Sequence, residues 1–130
     1  MRPYEHLPHR HPFVMLDLAE MVEEGVRARG IKLISANDPA VSPEGVLPSA
    51  CVIEAMAQTS GIASAKKTGS LLAGLKNIEF HGVAAAGDTL EIESVFQRSF
   101  SGLYFFNCRA SVSGATVAEG GVILYFDEPV

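Results

Sequence analysis

The feature that most constrains this chain is the apolar segment at residues 48–61, which carries a single carboxylate, Glu54. Apart from Glu54 and Gln58, its side chains are small or apolar on every side of a helical projection. A helix of this kind must be enclosed by other structure rather than laid on a surface. A carboxylate on an enclosed helix must be paired, hydrogen-bonded, kept protonated or used in chemistry.

The boundaries of this helix follow from the residue types at its two ends. Ser49 suits the N-cap position, and Lys66 and Lys67 suit the last turn, where cations interact favourably with the helix dipole. Gly69 suits the position after the helix, because glycine adopts the left-handed conformation without strain. We therefore predict a helix over residues 50–68, about 28 Å long.

The rest of the chain alternates apolar and polar residues with a period of two, which is typical of half-buried strands. Tyr104, Phe106 and Cys108, for example, fall on one face, and Asn107 and Arg109 fall on the other. Strands are predicted over residues 13–18, 25–35, 75–81, 88–97, 101–114 and 115–127, with turns at 99–102 and 113–114, a bulge or bend near Gly30 and a bulge at Gly120–Gly121.

The order of these elements predicts the fold class. Two strands, one enclosed helix and four further strands indicate an α+β fold, with an antiparallel sheet wrapped around one long central helix. At 130 residues, the whole chain (residues 1–130) fits one domain. A single sheet does not cover all sides of a helix, so we expect a second copy to complete the cover in a symmetric dimer.

Composition and charge argue against several classes of function. The net charge is −5 and the 10 basic residues are not clustered, which argues against a nucleic-acid partner. No apolar run reaches the ~18 residues of a membrane span and the N-terminus lacks a signal-peptide core, so a cytoplasmic location is expected. Cys51 and Cys108 lack CxxC spacing and are expected to be reduced thiols.

Three sequence blocks stand out along the chain: LPHRHPFVMLD at residues 7–17, VIEAMAQ at 52–58 and FHGVAAAGD at 80–88. Together they resemble the LPHRxPFxxxD signature, the EAMAQ helix and the FxxxVxPGD turn of the hotdog-fold (3R)-hydroxyacyl-acyl-carrier-protein dehydratases of fatty acid biosynthesis. In the third block, Ala84 and Ala86 replace the valine and the proline. The resemblance covers nearly the whole chain and implies a hotdog fold.

One departure from the resembling family concerns its catalytic histidine, which lies in a GHFPG loop shortly before the helix. In this chain the corresponding stretch, residues 37–48, is shorter and contains no histidine. A shortened loop with the helix motif retained resembles the dehydratase-like branch associated with aryl-polyene pigment clusters.

The resemblance implies a set of site residues for dehydration of a 3-hydroxyacyl thioester. Glu54 corresponds to the helix glutamate that serves the substrate hydroxyl, and enclosure would favour its protonated form, as a general acid requires. Gln58 lies one turn later on the same face and would either orient that carboxylate or bond the helix to the sheet. The backbone N–H groups of Ser49, Ala50 and Cys51 open the helix and would bind the thioester carbonyl.

The four histidines of the chain do not match the missing one. His9 belongs to a signature that active dehydratases carry besides their catalytic histidine, so we expect a structural role for it. His11 lies at a variable position of that signature and is expected to be solvated or to serve packing, and His6 also does not match the catalytic position. His81 is predicted on the exposed outer face of its strand. A metal site is not expected because the histidines lack a recognised ligand spacing. No cofactor is expected, since elimination needs no redox group and the chain has no nucleotide-binding motif. A histidine reaching the site from a partner chain stays open.

Three functions stay open at this point. The first is a dehydratase acting on a 3-hydroxyacyl chain carried by acyl carrier protein or CoA, in fatty acid or polyene biosynthesis. The second is a non-catalytic hotdog protein that binds acyl chains or pairs with an active dehydratase. The third is an acyl thioesterase, which the lack of an HGG loop before the helix disfavours. The expected assembly is a homodimer or a higher oligomer of dimers, with a heteromer containing an active dehydratase as the alternative.

Overall fold

The computed structural model describes residues 15–66 and 69–127. Their order is β1 (Leu18–Glu23), β2 (Arg27–Leu33), α1 (Ser49–Ala63), β3 (Ser70–Phe80), β4 (Thr89–Phe100), β5 (Leu103–Val112) and β6 (Ala115–Phe126). All neighbouring strands pair antiparallel in one sheet of order β1-β2-β4-β5-β6-β3. The predicted order of two strands, one helix and four strands is confirmed, and so is the α+β class.

The alternation of side chains turns one face of the sheet, the inner face, towards the helix. On β4, Leu90, Ile92 and Ser94 are buried, whereas Glu91 and Glu93 between them are exposed. The same alternation along β5 and β6 confirms the strands predicted there. Tight turns join β4 to β5 and β5 to β6, each with a serine and a glycine in the left-handed region at positions 101–102 and 113–114.

Helix α1 lies against the inner face and closes the hydrophobic core. It packs mainly against β2 and β4, and every residue from Ala55 to Ala63 is buried. A helix this enclosed needs small side chains where it meets the sheet, which explains its alanines and serines. The largest fully buried apolar side chains around it come from the helix and three strands: Val52, Met56, Ile62, Leu90, Ile92, Phe106, Val122, Leu124 and Phe126.

The start of the helix differs from the prediction. Pro48, with φ −59° and ψ 150°, occupies the N-cap position, and the helix begins at Ser49. The proline ring holds this φ, so Pro48 sets the direction in which the chain enters the helix. The prediction that Ser49 is the N-cap is therefore wrong, and no side chain caps this end.

The helix also ends at Ala63, five residues before the predicted end. The hydroxyl of Ser64 donates to the carbonyl of Gly61 at 2.6 Å, and Ala65 takes a left-handed φ of 59°. Local hydrogen bonding by a serine side chain competes with helical propagation, so the chain turns here rather than at Gly69. Lys66 consequently lies beyond the helix, and Lys67 and Thr68 lie outside the described residues.

Two strands begin at positions other than those predicted. The strand expected over residues 13–18 is found at Leu18–Glu23, and residues 13 and 14 lie outside the described ranges. Only Ala19 and Met21 of β1 turn towards the core. Two inward residues, one of them a small alanine, give a weak periodic signal in the sequence. β3 begins at Ser70 rather than residue 75, because it pairs with β6 along almost its whole length.

The bulge predicted near Gly30 is absent. Gly30 pairs regularly with Ala19 on β1 and with Ile92 on β4. A Cβ atom at this position would lie 2.5 Å from Thr59 Oγ1, so the glycine serves the close approach of helix and sheet instead.

An irregularity does occur at Gly120, but its extra residue lies on the neighbouring strand. Asn77 and Ile78 of β3 together oppose Gly120 of β6, and Asn77 has a φ of 53°. A Cβ atom on Gly120 would lie 2.8 Å from the Cα atom of Ile78. Gly120 therefore makes room for a bulge on β3.

Candidate functional site

Glu54 lies in the second turn of α1 and is half-buried. The side-chain amide of Gln58 donates from Nε2 to Glu54 Oε1 at 3.1 Å, one helical turn away. Gln58 is buried, with 2% of its surface exposed. The amide therefore holds one oxygen of the carboxyl group in a fixed direction.

Gln58 is fixed from its other end as well. Its Oε1 atom accepts a hydrogen bond from the backbone N–H of Met15 at 2.8 Å, which ties the helix to the segment before β1. Because the amide oxygen faces an N–H group, its NH₂ group must face the carboxyl group of Glu54. The amide of Gln58 thus bonds the Glu54 carboxyl group, as the first predicted role requires, whereas its second bond goes to the segment before β1 and not, as the other role predicts, to the sheet.

The backbone N–H groups of the first four residues of α1 differ in their hydrogen-bond partners. Cys51 and Val52 both donate to the carbonyl of Pro48, at 2.9 and 3.2 Å. The N–H groups of Ser49 and Ala50 have no hydrogen-bond partner within the described residues, and both residues are exposed. Of the three donors predicted at this end, that of Cys51 is thus engaged internally, and those of Ser49 and Ala50 face outwards.

An apolar depression of about 150 Å³ opens beside these donors. Its walls come from the end of β3, the chain that follows β3, the residues before the helix and β6: Val46, Leu47, Pro48, Ser49, Val52, Phe80, Gly82, Val83, Ala84 and Val117. An apolar depression next to two free N–H groups combines a surface for hydrocarbon with donors for a carbonyl oxygen.

A buried ion pair near the helix start was missed by the sequence analysis. Lys32 Nζ contacts Asp38 Oδ2, and the two side chains are 9% and 15% exposed. Burial raises the pKa of the nearby Cys51 thiol, the carboxylates of Asp38 and Glu54 raise it further, and the Lys32 ammonium lowers it. Lys32 breaks the apolar pattern of the inward positions of β2, and that was the signal in the sequence that could have found it.

A second polar cluster lies deeper in the core. The hydroxyl groups of Ser60 and Ser94 are 2.8 Å apart, and the thiol of Cys108 lies 3.2 and 3.4 Å from them. The Ser60 hydroxyl also lies 2.9 Å from the carbonyl of Met56. Burial raises the pKa of the Cys108 thiol. Each group satisfies another, which is what buried polar atoms require, so the cluster joins α1 to β4 and β5.

His81 lies on the outer face of the sheet, where the sequence predicts it. Its Nε2 atom is 3.8 Å from a carboxylate oxygen of Glu79 and 3.9 Å from one of Glu119. One ligand atom from each of these exposed residues lies within 4.8 Å of the others, so they are the described residues that could hold a metal ion. They lie on the opposite face of the sheet from α1 and take no part in the site around Glu54.

The described residues contain one histidine, His81, and its side chain contacts Glu79 and Glu119 on the outer face of the sheet. The stretch at residues 37–48, which precedes the helix, lies within the described ranges and has no histidine. His6, His9 and His11, with most of the N-terminal signature, lie outside them. The site thus combines one carboxyl group with a set of backbone donors.

Comparisons with known proteins bear on this chain as a whole. A family model described as ApeP dehydratase matches residues 1–128. The 3-hydroxyacyl-[acyl-carrier-protein] dehydratase FabZ of Agrobacterium fabrum is 34% identical over 125 residues, which cover 89% of this chain and 81% of the relative. The FabZ of Chloroflexus aggregans is 33% identical over 132 residues, covering 95% and 92% of the two chains.

Solved structures share the fold. A chain of the dehydratase heterocomplex ApeI:P from Xenorhabdus doucetiae has a TM-score of 0.87 at 21% identity, over 98% of this chain and 92% of that chain. Cj0977, a sigma28-regulated virulence protein from Campylobacter jejuni, has a TM-score of 0.77 at 19% identity over 99% of each chain. The hotdog fold expected from the sequence is confirmed. Within the described ranges, no helix has the length and apolar character needed to cross a membrane.

Proposed function

This chain belongs to the ApeP-like dehydratase family, and we propose that it removes water from a 3-hydroxyacyl thioester with Glu54 as the working acid. Its function is dehydratase-like, in the hydro-lyase class. The observation that supports the proposal is the hydrogen bond from Gln58 Nε2 to Glu54 Oε1, on the helix whose first N–H groups, those of Ser49 and Ala50, have no partner among the described residues.

The proposed reaction breaks the C2–H and C3–O bonds of the substrate and forms a double bond between C2 and C3. Glu54 gives its proton to the departing hydroxyl group, which leaves as water. The C2 proton goes to a base, which returns a proton to Glu54 afterwards. The N–H groups of Ser49 and Ala50 bind the thioester carbonyl oxygen, where negative charge develops as the C2 proton leaves. The acyl chain lies in the adjoining apolar depression.

The identity of the base separates two versions of this function. In the first, a water molecule accepts the C2 proton, and the chain acts without a second protein. In the second, a histidine of a partner subunit accepts it, and the chain contributes Glu54 or the acyl-binding surface to a mixed complex. The second version is favoured by the lack of a histidine in residues 37–48 and by the heteromeric nature of the ApeI:P complex, which contains a chain of the same fold.

The proposed substrate carrier is acyl carrier protein, with CoA as the alternative. The FabZ relatives are named for acyl-carrier-protein substrates, and they align with most of this chain. Both carriers present the acyl group as a thioester at the end of a long arm. The site described here recognises the thioester and the chain, so it accommodates either carrier.

A second hotdog subunit is also part of the proposal. β3 lies at the edge of the sheet, and Leu72, Leu75 and Phe80 pair with inward-facing residues of β6. These three side chains are nevertheless 45%, 43% and 42% exposed in the single chain. An unpaired edge strand with exposed apolar side chains is a surface that a second subunit would cover. We therefore place the homodimer, or the mixed complex, at β3.

The test of the catalytic role is the hydration of a 2-enoyl thioester by wild-type protein and by Glu54→Gln. The amide cannot act as an acid, so the rate is expected to fall at least about tenfold, the low end for a lost acid–base group. Glu20→Gln, at an exposed position of β1, is the matched control and should keep the wild-type rate. A Glu54→Gln variant within twofold of wild type would remove Glu54 from the mechanism.

The same assay distinguishes the alternatives. Wild-type protein that is inactive alone on both CoA and carrier-protein thioesters, but active when mixed with a histidine-bearing hotdog dehydratase, would establish the partner-subunit version. Release of free thiol from an acyl-CoA would instead support the thioesterase.

A further inference from the structure

The ion pair between Lys32, which is buried, and Asp38, which is half-buried, has no part in the mechanism above. Lys32 is 7% exposed and points to the inner face of β2, where the neighbouring inward positions are Ala28 and Gly30. A lysine at such a position requires a partner, since an unpaired buried charge is strongly unfavourable. The ion pair satisfies that requirement, but it does not explain why the position carries a charge at all.

Asp38 organises the turn that follows β2. Its Oδ1 atom accepts from the N–H of Ala40 at 2.9 Å, its own N–H donates to Ser35, and its carbonyl accepts from Val41. The turn at residues 35–41 is therefore built around Asp38. Its contact with Lys32 ties the turn to the sheet.

This turn opens the connection that leads to the helix. The far end of the connection is held by backbone hydrogen bonds from Leu47 to Ala84, from Ser42 to Val46, from Gly45 to Ser42 and from Ala86 to Gly45. The near end is held by the Lys32–Asp38 contact and the bonds around Asp38. Between these two anchors runs the stretch that ends at Pro48, directly before the donors of Ser49 and Ala50.

The charges of the pair also reach the site. Gly30 faces Thr59. Lys32 is the next inward position of β2, and its charge lowers the pKa of the Cys51 thiol, two turns nearer the helix start. The carboxylates of Asp38 and Glu54 raise the pKa of the same thiol. The charges of Lys32, Asp38 and Glu54 thus all influence the pKa of a thiol in the first turn of α1.

We propose that Lys32 and Asp38 are a positioning pair for the dehydration: they hold the connection at residues 35–48 so that the N–H groups of Ser49 and Ala50 keep their place at the start of the helix that carries Glu54. This inference rests on the proposed function. A pair that served stability alone would be replaceable by neutral side chains of similar shape, because such replacements of buried ion pairs often leave stability unchanged. A positioning pair would not be replaceable, since neutral side chains do not form the charge-assisted bond that fixes the turn.

The test uses a double variant that removes both charges together. Lys32→Met keeps most of the side-chain length, and Asp38→Asn keeps an oxygen for the Ala40 N–H group. Single variants leave one buried charge unpaired and are expected to fold poorly, whereas the double variant should melt near the wild-type temperature. Arg29→Met with Glu91→Gln is the matched control, because it removes an exposed ion pair of 3.7 Å on the outer face of β2 and β4.

The expected result is a drop of at least about tenfold in kcat for enoyl thioester hydration in the double variant, at an unchanged melting temperature. The control pair should keep the wild-type kcat. The single variant Lys32→Arg keeps an ion pair with Asp38 and should therefore keep most of the wild-type rate. A double variant that melts like wild type and keeps kcat within twofold would overturn the proposal.

Backbone amide exchange provides a readout that does not depend on activity. Peptides covering residues 35–52 should exchange faster in the double variant, whereas peptides from β5 and β6 should not change. Unchanged exchange over residues 35–52 would overturn the positioning role. Wild-type protein that is inactive with and without a partner would refute the proposed function, and faster exchange in that case would still support the structural part of this inference.

Discussion

Gly30→Ala tests the close approach of helix and sheet that places Glu54. The new methyl group would lie 2.5 Å from Thr59 Oγ1 and 2.9 Å from Leu16 Cδ2. Thr59 has no exposed surface, and its hydroxyl is held by the carbonyl of Ala55 at 2.8 Å. Leu16 is also buried, so neither neighbour has free space to move into.

The expected cost follows from these contacts. Overpacking of this kind costs about 1–3 kcal/mol in the free energy of unfolding. Replacing glycine by alanine stabilises by ~0.4–1 kcal/mol through a less flexible unfolded chain. The net effect is a loss of about 1–2 kcal/mol, which lowers the melting temperature by roughly 3–8 °C for a chain of this size. Because association would shift these values, all variants are compared at one protein concentration.

The assay is urea unfolding followed by far-UV circular dichroism. Gly82→Ala is the control, since no atom lies within 4 Å of a Cβ atom at that position, and it should stay within about 0.5 kcal/mol of wild type. Thr59→Ala removes the atom that the new methyl group meets. The Gly30→Ala/Thr59→Ala protein should therefore be more stable than the sum of its single variants predicts, by about 1 kcal/mol. Purely additive effects, or wild-type stability in Gly30→Ala, would refute the packing argument.

Two further predictions concern the buried thiol and the edge strand. Burial raises the pKa of Cys108 above its ordinary value of 9.0, so the unfolded chain loses this proton first and stability should decline as the pH rises past that value. Wild type should lose more free energy of unfolding than Cys108→Ser between about pH 8 and about pH 10, and equal losses would contradict the role of the thiol. Leu75→Lys on β3 should shift the protein from dimer to monomer in light scattering, because it places a charge where we propose that a second subunit packs. An unchanged molar mass would contradict the proposed interface at β3.

Much of the sheet could be predicted from the sequence because its signal is local. Along β4, Leu90 and Ile92 alternate with Glu91 and Glu93, and this alternation alone identifies both the strand and its inner face. The two-residue turns are equally local, since Gly114 supplies a conformation that few other residues adopt easily. The same reasoning was weak for β1, where one small alanine and one methionine carry the inward face.

The ends of the helix could not be predicted from residue types in sequence. Ser49 and Gly69 are suitable terminal residues, yet Pro48 and Ser64 occupy the terminal positions. Several residues near each end are able to stop a helix, and the packing of the chain decides which of them does so. Gly30 shows the same limit of prediction from sequence, because glycine suits both a bulge and a close contact between helix and sheet.

Sequence by itself determined the fold class, the family and the central carboxyl group, because periodicity and short motifs are written in neighbouring residues. Glu54 and Gln58 are four positions apart, so their contact follows from helical geometry alone. Only the tertiary structure decided that Lys32 and Asp38 form an ion pair and that Gly30 lies against Thr59 where the helix meets the sheet. Such juxtapositions depend on how a strand, a turn and a helix pack in three dimensions, and no local pattern in the chain encodes them.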